Sequence, residues 1–309
     1  MKHIDTLDNL NLGGAFATIG AFDGVHRGHQ ELVGGLARAA AAAGAASVVV
    51  TFHPHPAVVL RGIDTPYYLT SPEERARLFG ELGIDWVITL PFTRELAQER
   101  AGDFVARLHA ALGLRELWVG YDFALGRGRE GDIPFLTRLG AELGYAVRVT
   151  APVAREGQAV SSSQVRALLA AGSVAAAADL LGRPYGFRGP VVHGDGRGRS
   201  IGIPTANIQP WEGQLLPRTG VYATWAWVDG SRRPAVTNIG FRPTFDNPIP
   251  APRVEAMLLD FDQDLYGQII GLEFVDYIRP EQRFESVDAL LKQIASDRAR
   301  ASDLLGAGR

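Results

Sequence analysis

Two imidazoles three residues apart mark the chain's first chemical segment. In Gly20-Ala21-Phe22-Asp23-Gly24-Val25-His26-Arg27-Gly28-His29 they stand where an apolar run, Ala15 to Ile19, gives way to a long alanine-rich helical pattern. A strand, a glycine-bearing turn and a helix start make an anion site, because the first helical N–H groups lack intrahelical partners and the helix dipole is positive there. Phosphate is the natural guest. His26 and His29 can address one phosphate from the same side of a helical turn, donate hydrogen bonds in either protonation state, and stabilise charge gathering on a phosphoryl oxygen. That is the chemistry of nucleotidyl transfer, although two histidines that merely shape a turn also satisfy the segment taken alone. The zinc-protease helix signature is excluded, since it places its histidines four apart with a glutamate beside the first.

Three other segments offer polar groups. Ser161-Ser162-Ser163-Gln164-Val165-Arg166 presents hydroxyls, a helix start and an arginine fork, which suit the far end of a triphosphate; a serine N-cap with a solvated arginine is the plain alternative. His53 and His55 alternate on an extended segment and could point the same way towards a metal, but no cysteine and no third ligand accompany them. Prolines 54 and 56 instead shape a loop bordering a nucleotide. Asp122, in Gly120-Tyr121-Asp122-Phe123, either binds a purine or ribose edge or caps its own turn.

The second half has its own chemical segment, Gly194-Asp195-Gly196-Arg197-Gly198-Arg199-Ser200-Ile201-Gly202-Ile203-Pro204-Thr205-Ala206-Asn207. Alternating glycines let the backbone approach phosphates, and two arginines add charge. It is not a P-loop, because the Gly-Lys-Ser/Thr ending is missing. Thr205 and Asn207 offer hard oxygen ligands two apart, suited to a magnesium ion bridging nucleotide phosphates. Glu255 enters an apolar strand pattern, where an unpaired carboxylate would be costly. A general base fits there, as does the solvent face of an alternating strand.

These segments need elements to hold them. Short apolar runs at Ala15 to Ile19, Ser47 to Phe52, Trp86 to Leu90, Glu116 to Val119 and Tyr145 to Val149 read as buried parallel strands separated by helices. Ser71-Pro72-Glu73-Glu74 opens one helix, with Ser71 as cap, Pro72 at the first position and Glu74 completing a capping box. Gly44, Gly83 and Gly113 follow helical runs, as left-handed C-terminal residues do. This repetition predicts a doubly wound α/β sheet, and every polar segment of the first half follows a strand, at the carboxyl edge where such sheets bind ligands. After a helix at Ser173 to Leu181 the helical period stops. Runs at Gly189 to His193, Val221 to Val228, Ala235 to Ile239, Val254 to Phe261 and Ile269 to Ile278 predict a small antiparallel β-barrel. A terminal helix, Val287 to Leu305, should pack Leu290, Leu291, Ile294 and Leu304 on it. The reading sets domains at 1–182 and 183–309.

Composition limits the classes. The chain has 309 residues, 46% hydrophobic and 21% charged, enough for about two cores. A formal net charge of −3 gives no broad basic field, so no nucleic-acid partner is expected. Cysteine is absent, which removes disulfides, thiolate metal sites and cysteine nucleophiles. The first residues lack an apolar signal core and no charge-free apolar stretch of membrane-spanning length occurs, so a cytoplasmic, soluble protein with no membrane partner is expected. Oligomeric state is not legible.

In order along the chain, Phe-Asp-Gly-Val-His-x-Gly-His, His-Pro-His-Pro, Val-Ser-Ser-x-x-x-Arg, Leu-Gly-Arg-Pro-Tyr, Gly-x-Pro-Thr-Ala-Asn and a Glu-x-x-x-Leu-Asp-Phe strand followed by Asp264-Leu265-Tyr266-Gly267 resemble the bacterial bifunctional riboflavin kinase and FMN adenylyltransferase family, also called FAD synthetase. The resemblance implies a nucleotidylyltransferase half that adenylates FMN to FAD, followed by a six-stranded β-barrel kinase that phosphorylates riboflavin to FMN. It implies ATP held by Gly20, Phe22, Asp23, Gly24, His26, His29, Ser162, Ser163 and Arg166, with flavin beside Phe52, His55, Asp122 and Phe123. In the kinase half it implies ATP at Gly194, Gly196, Gly198, Gly202, Pro204, Thr205 and Asn207, Mg2+ at Thr205 and Asn207, and Glu255 taking the proton of the ribityl 5′-hydroxyl. The substrates would be small molecules only. The chain departs from the family pattern at Ala21, usually asparagine, at Ala124-Leu125, usually Arg-Phe, at Ser163, usually threonine, and at Met257, often histidine. Ala124-Leu125 motivates an alternative, an active kinase with a non-catalytic nucleotide-binding first half; a flavin-binding protein without turnover is a second.

Overall fold

The structure is a computed structural model and describes residues 1–155, 157–194, 203–241 and 252–306. By contacts the chain divides into two compact units, Met1–Ser162 and Ser163–Arg309.

The first unit is built on six parallel strands, β1 (Lys2–Ile4), β2 (Ala15–Ile19), β3 (Ala46–His53), β4 (Trp86–Pro91), β5 (Leu114–Gly120) and β6 (Ala146–Thr150), in the order β1-β4-β3-β2-β5-β6. The crossovers are α1 (Arg27–Ala42), α2 (Pro56–Arg61), α3 (Pro72–Glu81), α4 (Ala101–Leu112) and α5 (Ile133–Leu143). Alternation along the strands feeds two cores. Ala15, Ala17, Ile19, Val48 and Val50 pack with Phe104, Leu108 and Leu136 from α4 and α5, while Phe16 and Val49 pack with Leu32, Leu36, Ala76 and Phe79 from α1 and α3. Both faces of the central strands are thus covered, which is why they read as unbroken apolar runs. Strands β3 and β4 lie to one side of β2 and β5 and β6 to the other, so the sequence order reverses at β2. The carboxyl end of β2 is therefore the switch point of the sheet, where an open α/β sheet leaves a crevice.

Three details differ from the sequence expectation. The sheet gains an edge strand, β1, whose Lys2 lies over the Trp86 ring at 4.5 Å to its centroid. Strand β6 is an edge and mostly solvent-facing, with Val149 52% exposed, rather than buried. At α3, Ser71 accepts from the Glu74 N–H at 3.2 Å as a cap, but the Glu74 carboxylate pairs with Arg77 at 2.6 Å instead of closing the box.

The second unit holds α6 (Ser162–Ala171) from its second residue on, then α7 (Val174–Leu181) and a closed antiparallel barrel. The barrel strands are β7 (Tyr185–Val192), β8 (Ala206–Ile208), β9 (Gly220–Val228), β10 (Ser231–Phe241), β11 (Pro252–Leu258) and β12 (Ile269–Arg279), ordered β7-β8-β11-β10-β9-β12. The terminal helix α8 (Val287–Leu305) covers Val221, Ala223, Val236 and Met257 on the barrel's outer face with Ile294, Ala301, Leu304 and Leu305. Buried Asp297 fixes that helix to β12, accepting from Arg279 Nε at 3.0 Å and Arg279 Nη2 at 2.8 Å. Among the described residues no helix is long and apolar enough to cross a membrane.

Candidate functional site

The turn from β2 into α1 lies at the switch point, and its backbone is strained. Phe22 at φ 49° and Val25 at φ 42° occupy the left-handed region that bulky and β-branched residues avoid. Buried polar bonds hold them there. Asp23, 1% exposed, accepts from the N–H groups of Leu69 and Thr70 at 3.0 Å each and from the Thr70 hydroxyl at 3.2 Å. The Thr70 oxygen in turn accepts from Gly24 N–H at 3.1 Å. The Ala21 carbonyl receives the Thr51 hydroxyl at 3.1 Å and Arg75 Nη1 at 3.2 Å. At Gly20 an added Cβ would stand 2.8 Å from the Phe22 ring, so glycine there makes room for that ring.

His26 is the N-cap residue of α1 but makes no side-chain cap bond, and the first turn carries no carboxylate. Its ring stacks on His29, with centroids 3.5 Å apart and planes 21° apart. Phe22 meets His29 edge-on at 5.1 Å and Phe79 at 5.7 Å, so the imidazoles end a buried ladder of rings. His29 Nδ1 is buried without a hydrogen-bond partner. Burial, then the charges of His26 and Arg75, hold His29 well below the ordinary imidazole range. A neutral ring there still donates one N–H to an oxyanion.

The start of α6 reaches the same turn across 139 positions: the Ser162 hydroxyl donates to the Asp23 carbonyl at 2.8 Å. Ser163 follows it, and Arg166 lies one helical turn along α6. Phe52, the penultimate residue of β3, has its carbonyl bound to Arg75 Nη2 at 3.1 Å and its ring edge-on to Phe92 at 5.5 Å. His55 caps α2, its Nδ1 accepting from Ala57 N–H at 3.0 Å, which leaves Nε2 as the protonated nitrogen of a neutral ring. The His53–Pro54 bond is cis, and burial and then Arg75 lower the His53 pKa. Among the described residues no group of three or more His, Cys, Asp and Glu is arranged to hold a metal. Asp122 is exposed at the turn after β5, while Phe123 packs against the first core. Ala124 and Leu125 form a two-residue strand paired with Gly131 and Asp132.

In the barrel, Gly196, Gly198 and Gly202 lie outside the described residues. What is described is a row across three strands. Asn207 on β8 is in register with Glu255 on β11, and Glu255 with Asn238 on β10. Directly opposed residues share a face with Cβ atoms about 5 Å apart. The neighbours Ala206 and Ile208, Val254 and Ala256, and Thr237 and Ile239 are buried, so this row lies on the outer face. Glu255 is half-buried there, with Arg253 Nη1 at 4.0 Å. Asn238 Nδ2 donates to Glu281 Oε1 at 3.1 Å. Gly194 fits against Asn207, since a Cβ would stand 2.2 Å from its Nδ2. Thr205 and Pro204 immediately precede β8.

The candidate residues came from the sequence; the groups that hold them in place did not. Thr70 and Arg75 in the first unit, and Asn238 and Glu281 in the second, have no place in the sequence reading. The available signal for Arg75 was a charge on the same helical face as Phe79, four residues on.

Comparison with known proteins covers both halves. The FAD synthetase family matches residues 9–164 and the riboflavin kinase family residues 181–305. The bifunctional riboflavin kinase/FMN adenylyltransferase of Escherichia coli K12 is 40% identical over 99% of this chain and 98% of its own length. That of Pseudomonas fluorescens is 41% identical over 94% and 93%, and that of Bacillus subtilis 35% over 92% and 90%. A crystal structure described as a macrolide-efflux protein of Streptococcus pneumoniae is similar at 30% identity with a TM-score of 0.86, covering 96% of this chain and 97% of that one.

Proposed function

This chain belongs to the bifunctional riboflavin kinase/FMN adenylyltransferase family, and we infer that its two halves run consecutive reactions. The second half transfers the γ-phosphoryl of ATP to riboflavin, giving FMN and ADP; the first transfers AMP from a second ATP to FMN, giving FAD and pyrophosphate. We place the boundary between the two domains at 182/183 and the protein in the cytoplasm.

In the first half the phosphate of FMN attacks the ATP α-phosphorus and pyrophosphate leaves. His26 and His29, at the N-terminus of α1, donate to the triphosphate, and charge that builds on its oxygens meets N–H groups already oriented. Ser162, Ser163 and Arg166, at the start of α6, bind the same triphosphate. Gly20 to Gly24 supply the turn itself; Asp23, with its carboxylate turned into the protein, acts on ATP through the shape of that turn. Phe52, His55, Asp122 and Phe123 border the flavin.

In the barrel Glu255 takes the proton of the ribityl 5′-hydroxyl as its oxygen attacks the γ-phosphorus, and most of the rate comes from positioning. Thr205 and Asn207 fit a divalent cation: both present hard oxygens, and Gly194 leaves Asn207 the space a Cβ would fill. Such an ion, when bound, neutralises charge on the ATP phosphates. Asn207 and Glu255 being in register carries the kinase assignment, and the stacked imidazoles at the switch point carry the transferase.

The test is incubation of the purified chain with riboflavin, ATP and magnesium, with separation of the three flavins. The parent should form FAD. His29→Ala should accumulate FMN, with FAD formation reduced about 10²–10³-fold, and Glu255→Ala should form FMN about 10²–10⁴-fold more slowly while still adenylating added FMN. FMN without FAD from the parent overturns the transferase assignment; no ATP-dependent product overturns both.

A further inference from the structure

The transferase unit buries a cation that the mechanism above does not use. Arg75 on α3 is 0% exposed. Its two terminal nitrogens are spent on backbone carbonyls from two different segments, Nη1 on Ala21 in the turn after β2 at 3.2 Å and Nη2 on Phe52 in β3 at 3.1 Å, while its Nε has no hydrogen-bond partner. Burial pulls its pKa down, and Asp23, Tyr68 and Glu73 oppose that. A buried charge left short of one bond is an expensive way to pack α3, where an apolar side chain of similar volume would often be neutral or stabilising. The two carbonyls explain its retention. One belongs to the turn carrying His26 and His29; the other is that of the penultimate residue of β3, directly before the His53-Pro54-His55 segment.

We propose that Arg75 is a positioning residue for adenylyl transfer, whose fork ties the triphosphate-binding turn to the loop after β3 and so sets the approach of the FMN phosphate to the ATP α-phosphorus. The proposal deepens the assigned transferase function and rests on that reading, with the flavin on the β3 side. It accounts for the geometry of the fork: a planar guanidinium donates along two fixed directions, which an ammonium does not. It also couples the fork to the imidazoles. The charged groups that act on His29 are His26 at the start of α1 and Arg75 on α3, both lowering its pKa, while Asp23 in the turn, Tyr68 before α3 and Glu73 on α3 act on Arg75, and Arg75 and Glu73 act on His53 at the end of β3.

The experiment uses the full chain, because the kinase site reports independently on folding. Arg75→Met and Arg75→Lys are assayed for FMN formation from riboflavin, and for kcat and KM of FAD formation from FMN and ATP between pH 5 and 9. Expected for Arg75→Met is an unchanged kinase rate, kcat for FAD lowered about 10–100-fold with KM for ATP within about 3-fold, and an acid limb displaced to higher pH as His29 becomes easier to protonate. Arg75→Lys, which keeps the charge and loses the fork, should show the fall in kcat with the acid limb in place. Should Arg75→Met fail to fold its first unit, seen as loss of the first transition in a thermal scan, Arg75→Lys decides. FAD formation by Arg75→Lys at the parental kcat overturns the proposal, as does an Arg75→Met enzyme whose KM values rise while kcat and acid limb stay put. If the parent itself makes no FAD, it is the transferase reading that has failed.

Discussion

Replacing Asp23 by asparagine isolates what the turn after β2 contributes. The carboxylate is buried and accepts two backbone N–H groups and one hydroxyl, all from Leu69 and Thr70. Asparagine keeps the shape but offers one acceptor oxygen, and its NH2 faces a donor. One or two buried N–H groups then lose their partner, at about 1–3 kcal/mol each, and Arg75 loses the charge that opposes its desolvation. A destabilisation of about 2–4 kcal/mol follows for a unit of 162 residues, which lowers its melting temperature by roughly 5–15 °C. Phe22 and Val25 depend on this bracing to stay at positive φ. Relaxation of that strain should displace the imidazoles, so FAD formation should fall about 10²-fold even at temperatures where the unit is folded, while FMN formation is unaffected. Differential scanning calorimetry and the two flavin assays read all three quantities. An Asp23→Asn protein with a parental melting temperature but a raised KM for ATP would refute the reasoning, since it would show the carboxylate touching nucleotide rather than bracing the turn.

Two further outcomes follow from the same geometry. Because the folded His29 pKa lies below the unfolded value of 6.5, the unfolded chain takes up a proton that the native ring refuses once the pH drops below about 6.5, and stability falls on that side by up to about 1.4 kcal/mol per pH unit. His29→Gln should flatten the decline in melting temperature between pH 7 and 5, and an unchanged decline would sink the assignment. Gly194→Ala would put a Cβ 2.2 Å from Asn207 Nδ2, forcing that amide to turn; the kinase KM for magnesium-ATP should rise about 10-fold with adenylylation of supplied FMN untouched, and a parental kinase titration would count against Asn207 as a nucleotide or cation ligand.

Which parts of the candidate site were legible depends on the range over which their causes act. His26 and His29 were readable because the glycine turn, the helix start and the three-residue spacing all lie within ten positions. The bonds that make that turn rigid span 46 positions from Asp23 to Leu69, 54 from Ala21 to Arg75 and 139 from Asp23 to Ser162. No local pattern encodes such pairings; sequence showed Ser71 as a helix cap and could not show that the residues flanking it brace the turn after β2. The same limit governs the strands. Ala15–Ile19 and the terminal helix Val287–Leu305 were read to the residue, because burial on two faces and amphipathic period are local signals. The three-residue β1 carries Lys2 and His3, so only its pairing with β4 makes it a strand. For Glu255 the sequence left two readings, a general base and the solvent face of an alternating strand. Period-two alternation places it on the outer face, as the plain reading held, and the barrel's register then sets it beside Asn207 and Asn238. The carboxylate is thus partly solvated and in register with two amide side chains, the setting that the proposed role asks of a base that receives a proton and releases it to water.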